Sequence, residues 1–201
     1  MDWANTCIAD YNWTVFSSSD SPEVRKDDLG CYAQPILDVF YTRDNGLYIL
    51  AHHRALISSQ YYGLFTRLPQ SGEVSLSLDL DMIDNGQVWV GIFENPDITS
   101  QGVMLAAPSG DVRAQVFALK NMPSGKKVQI SKVFQNSEGK YLMGFKLELG
   151  AIIANVEGIS MTRIPFTPQT RWLFLGYRAK LDDPLNGTAD IQALFTNLEI
   201  K

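Results

Sequence analysis

Apolar residues in this chain recur at every second position, and that period excludes most of the ways it could fold. Between Glu73 and Ile83, the residues Val74, Leu76, Leu78, Leu80 and Met82 alternate with Glu73, Ser75, Ser77, Asp79 and Asp81. Side chains of an extended strand point to opposite faces in turn, so one face of this segment is oily and the other polar. A helix needs apolar residues every three or four positions, and that spacing is nearly absent. The alternating texture returns at short intervals, bounded by Gly, Pro, Asn and Asp. It predicts strands over Trp13–Ser17, Ile36–Thr42, Leu47–His53, Tyr61–Arg67, Glu73–Ile83, Gln87–Glu94 and Val103–Ala107. Further strands are expected over Val112–Leu119, Lys127–Gln135, Tyr141–Leu149, Ile152–Val156, Trp172–Ala179 and Asp190–Ile200. Asp44-Asn45-Gly46, Asp84-Asn85-Gly86, Ser137-Glu138-Gly139 and Asn155–Gly158 read as hairpin turns, because Asn, Asp and Gly tolerate the positive φ of tight turns. Strands without intervening helices must bury their apolar faces on one another. The expected fold is therefore all-β, a two-sheet antiparallel β-sandwich of jelly-roll type.

Length and charge narrow the organisation and the partners. A chain of 201 residues fits one sandwich, and no linker, repeat or composition break divides it, so residues 1–201 read as a single domain. The two cysteines, Cys7 and Cys31, lie in one turn-rich region near the start. An even pair so placed predicts a disulfide that ties residues 1–35 down as an N-terminal arm, and hence an extracellular or cell-surface location; the alternative is two unrelated buried thiols. Seventeen Lys and Arg against 22 Asp and Glu leave a net charge of -5, with no basic run longer than Lys126-Lys127. Phosphate backbones need a concentrated basic face, so a nucleic-acid partner is not expected. No apolar stretch approaches the ~18 residues needed to span a bilayer, and Met1–Tyr11 lacks the charged-then-apolar pattern of a signal peptide.

The order of these segments resembles the concanavalin A-like lectin/glucanase superfamily, the jelly-roll group that includes laminin G-like domains. Gly46-Leu47-Tyr48-Ile49-Leu50 resembles its early strand, and Gln87-Val88-Trp89-Val90-Gly91-Ile92-Phe93 a central one. Tyr141–Gly158 resembles its late hairpin, and Trp172–Arg178 followed by Ala189–Ile200 its last two strands. The resemblance implies the sandwich fold and a link to sugars. It does not imply an activity, since lectins, glycosidases, lyases, adhesion domains and spacers share that architecture.

Function must therefore come from particular residues. Asp79-Leu80-Asp81-Met82-Ile83-Asp84 resembles the Glu-x-Asp-x-x-Glu strand of laminarinase-like glycosidases, which present paired carboxylates to one sugar. Here both outer glutamates are aspartates, and displacing a catalytic group by about an ångström is costly, so inherited hydrolysis is not expected. His52 and His53 are strand neighbours and face opposite ways, which leaves no Ser/His/Asp arrangement. No Cys/His cluster suggests zinc. Asp182, Asp183, Asn186 and Asp190 form an oxygen-rich loop that could hold a structural calcium, the one cofactor weighed. Sugar rings lie on Trp or Tyr while carboxylates, amides and Arg take the hydroxyls. Of the neighbours Tyr61 and Tyr62, one must point outward. Ser77, Asp79, Asp81, Tyr61 and Tyr62 thus form the expected ligand site of a non-catalytic, extracytoplasmic carbohydrate-binding module. The alternatives are a glycoside hydrolase or polysaccharide lyase using Asp79, Asp81 or Asp84, and a protein-interaction or spacer domain of a larger protein.

Overall fold

The computed structural model describes residues 13–17, 40–43, 46–54, 60–108, 115–121, 126–136, 138–179 and 188–201. Among them every regular element is a strand, and the strands form two antiparallel sheets packed face to face, the expected sandwich. The first sheet runs, edge to edge, through β1 (Thr14–Ser17), β4 (Gln60–Arg67), β14 (Trp172–Ala179), β6 (Gly86–Phe93), β7 (Gly102–Pro108) and β8 (Gln115–Asn121). Two short strands, β9 (Lys127–Gln129) and β10 (Phe134–Gln135), both pair with β8 at its far edge. The second sheet runs β13 (Ile159–Pro165), β12 (Ala151–Val156), β11 (Lys140–Glu148), β5 (Gly72–Asp84), β15 (Thr188–Ile200), β3 (Gly46–Arg54) and β2 (Phe40–Arg43).

The core lies between the sheets. Leu76, Leu78, Phe145 and Phe195 of the second sheet meet Val90, Leu105, Leu175 and Tyr177 of the first, each virtually excluded from solvent. Burying one such side chain contributes about 1.5–3 kcal/mol, which is what holds two curved ribbons together without a helix. On β5 the alternation holds as expected from Val74 to Leu80. It then breaks: Leu80 pairs with Ala193 and Met82 with Gln192, so Asp81 is an extra residue, a β-bulge. Beyond it Ile83, not Met82, faces the core.

Two of the expected hairpin turns do a different job. Asp84-Asn85-Gly86 joins β5 in the second sheet to β6 in the first, and the expected turn Ser137-Glu138-Gly139, whose Ser137 lies outside the described residues, falls between β10 in the first sheet and β11 in the second. These segments carry the chain across the sandwich. Asn85 takes φ +52, and its side-chain amide donates to the Thr188 carbonyl at 2.8 Å. Asn155–Gly158 is a true hairpin: Val156 pairs with Ile159, leaving Glu157 and Gly158 as a two-residue turn with φ +51 and +73. Positive φ at both central residues matches the twist of the flanking strands.

The central strands of the first sheet are largely buried on both sides. Opposite the core, Phe65, Trp89, Phe93, Met104, Ala106 and Phe174 form a second buried cluster. Gly63 and Gly176 lie beside each other in register with Trp89, and the Phe174 ring occupies the space over them. A strand buried on both faces reads as a continuous apolar run, as Leu173–Tyr177 and Gly102–Ala107 do. The second sheet keeps a wet outer face.

Candidate functional site

The wet face is built around the polar row of β5. With Val74, Leu76 and Leu78 turned to the core, Ser75, Ser77 and Asp79 must stand on the other side. β11 and β15 flank them: Gly144 and Glu199 beside Ser75, Leu142 and Thr196 beside Ser77, Lys140 and Leu194 beside Asp79. Two depressions adjoin here and share Leu142. One, of about 200 Å³, is lined by Glu73, Ser75, Gly144, Lys146, Asn155 and Gly158 among others. The other, of about 410 Å³, is lined by Ser77, Asp79, Asn136, Glu138, Lys140, Leu142, Glu157 and Thr196 among others. A methyl group on Gly144 would lie 3.2 Å from the Val74 carbonyl of the neighbouring strand.

Hydrogen bonds hold the rim. The Asn197 amide donates to Ser77 Oγ at 3.3 Å from a β15 bulge where Asn197 takes φ +52. Glu157 folds back so that Oε1 accepts the Leu142 N–H at 2.7 Å. Asn136 donates to the Lys140 carbonyl at 2.7 Å and accepts from the Glu138 N–H at 2.8 Å. Lys140 Nζ lies 3.5 Å from Asp79 Oδ2, and Lys146 Nζ 3.5 Å from Glu148 Oε1. Arg163 also donates to Glu148, and these cations hold its carboxyl below the usual range.

The predicted site residues part company. Ser77 and Asp79 sit in the groove, and Asp81 stands exposed in the bulge just beyond it. Tyr61 and Tyr62 belong to β4, in the other sheet. Tyr62 faces inward, stacked on His53 at 5.2 Å and on Tyr177 at 5.3 Å. Tyr61 faces outward against Trp89, with Lys127 Nζ 5.2 Å and the Arg178 guanidinium 5.9 Å from its ring. Asp84 pairs with Asp190, whose carboxylate lies 2.5 Å from His52 Nδ1. Cys7, Cys31, Asp182, Asp183 and Asn186 lie outside the described residues, so Asp190 alone of the calcium candidates is placed. Among the described residues no three His, Cys, Asp or Glu gather where a metal could bind.

The two histidines face apart, as strand neighbours should. His52 is exposed, while His53 Nε2 lies 2.9 Å from the Tyr177 hydroxyl. Burial, then the charge of His52, holds the His53 pKa below its ordinary value, and burial pushes the Tyr177 phenol up. Glu138, Lys140, Leu142, Gly144 and Glu157 complete the groove without having been singled out from the sequence. Glu138, Lys140, Leu142 and Gly144 come from β11 and the turn before it and Glu157 from the β12–β13 turn, and the pairing of β11 with β5 and with β12 brings them to Ser77.

No family model matches the sequence, and no curated protein matches it. Solved structures do match in shape. The chain has the concanavalin A-like jelly-roll fold. It is similar to alginate lyase A1-II′ of polysaccharide lyase family 7, with a TM-score of 0.64 and 15% identity over 99% of this chain and 95% of the lyase. It is similar to the LamA catalytic domain of Zobellia galactanivorans, with a TM-score of 0.57 and 11% identity over 84% of this chain and 82% of that one. Carbohydrate-binding module CBM66 of Bacillus subtilis superposes with a TM-score of 0.51 and 11% identity, covering 80% of this chain and 89% of the module. At these identities the likeness is one of fold.

Proposed function

We propose that this domain is a non-catalytic module that binds carbohydrate in the groove on the outer face of the second sheet. The observation that carries the reading is the pair of adjoining depressions over Ser75, Ser77 and Asp79. Their rim offers hydroxyls, amides and carboxylates on hydrogen-bonded strands and turns. Pre-ordered polar groups bind sugar hydroxyls without a large ordering cost. The jelly-roll likeness to a carbohydrate-binding module and to two carbohydrate-active domains supports the same class of ligand.

Binding is favoured over chemistry by what the groove holds. Neither histidine lines it. Asp79 faces Lys140, and Asp81 is displaced by the bulge, so the strand does not present two matched carboxylates to one sugar. Retention on insoluble polysaccharides tests the reading, with Ser77→Trp as the variant that fills the groove from an outward strand position. The unaltered domain should be retained by at least one polysaccharide and the variant released at least about tenfold more readily, the change expected when a ligand's polar contacts are blocked. Equal retention of the two proteins, or cleavage of laminarin or alginate by the unaltered domain, contradicts the proposal.

A further inference from the structure

We infer that the groove selects glycans that carry no acidic group and prefers those bearing an amine. This rests on the binding-module reading above and adds the ligand's charge. The lining of the two depressions includes four carboxylates, Glu73, Asp79, Glu138 and Glu157, against two ammonium groups, Lys140 and Lys146. Neither lysine is positioned as a bare anion receptor. Lys140 lies 3.5 Å from Asp79, and Lys146 lies 3.5 Å from Glu148, which also takes Arg163. One carboxylate oxygen of Glu157 accepts the Leu142 N–H at 2.7 Å.

The field over the larger depression is therefore negative: Asp79 is offset by Lys140, and Glu138 and Glu157 are not matched by any other cation in its lining. The chain as a whole adds a net charge of -5. A polyuronate or sulfated chain laid across β5 and β11 would set its anions against these carboxylates, and like-charge juxtaposition disfavours binding. A neutral sugar meets no such barrier, and an ammonium on the sugar ring gains from it. This charge pattern separates the groove from the outer face of the first sheet, where Lys127 and Arg178 flank Tyr61.

Calorimetric titration with chitosan oligosaccharides, N-acetylated chitin oligosaccharides of equal length, laminarin and alginate oligosaccharides tests the inference. The amine-bearing ligand should bind about tenfold more tightly than its N-acetylated counterpart at low ionic strength, with the gap closing as salt rises. Alginate should give no heat of binding. Glu138→Gln combined with Glu157→Gln should remove most of the amine preference, because Gln keeps the Leu142 acceptor while losing the charge. Alginate binding as tight as laminarin, or equal affinity for the amine and N-acetyl forms at low salt, overturns the inference while leaving a sugar-binding module in place. Absence of binding to all four ligands overturns the module reading itself.

Discussion

His53 shows how burial sets chemistry at a single side chain. Its ring packs against Tyr62 and Tyr177, and desolvation with the neighbouring His52 holds its pKa below 6.5, with Asp190 partly offsetting them. In the unfolded chain the ring titrates at its ordinary value, so below pH 6.5 the unfolded state binds more protons than the folded one. Stability is then fully present above about pH 6.5 and declines as the pH falls from there toward the lower folded-state value. Urea denaturation between pH 7.5 and about 5, above the range where carboxylates titrate, should show this decline. His53→Gln should flatten it over the same window. An unchanged slope in the variant would assign the proton uptake to another group.

Among the elements, β6, β14 and β4 depend on glycine where two backbones and a ring converge. A methyl group on Gly176 would meet the Tyr62 carbonyl and lie 2.6 Å from the Phe174 ring. Neither neighbour has room to retreat, since Phe174 is itself packed against Phe65 and Phe93. Gly176→Ala should cost about 2–3 kcal/mol in chemical denaturation with an unchanged denaturant slope, the range of overpacking in a dense core. Gly150→Ala changes a position with no atom within 4 Å of the added carbon, and its cost would come from φ +81 alone. The two substitutions thus separate packing from backbone strain.

The same elements show what could be read in the sequence. β5 announced itself because one face is wet, and alternation is the direct imprint of that asymmetry. The bulge at Asp81 was hidden, because an extra residue leaves no mark in composition and only the register with β15 exposes it. β13 escaped notice for a related reason: at the sheet edge only Ile164 is buried, so the burial that produces a pattern is missing. Asp84-Asn85-Gly86 carries a strong turn signal, but the local chain cannot say whether the next strand pairs with the last or crosses to the facing sheet. Ser77 and Asp79 were legible as an outward row. Their partners Leu142, Glu138 and Glu157 were not, because they reach the groove only through long-range pairing of β11.

In the whole molecule, function follows from the unequal treatment of two sheets. The first is largely apolar on both faces, with Trp89, Phe93 and Phe174 closed off from solvent on the side away from the core. The second spends one face on the core and leaves the other polar, and the adjoining depressions lie on that face. Fold alone would permit a site on either sheet, which is why likeness to lyases, glucanases and a binding module cannot decide the matter. The most direct test is amide chemical-shift mapping during titration with laminarin and chitosan oligosaccharides. The account predicts perturbations centred on Ser75, Ser77, Leu142, Gly144 and Asn155. Perturbations centred on Tyr61, Gln87 and Arg178 of the first sheet, or none on the second, would contradict it.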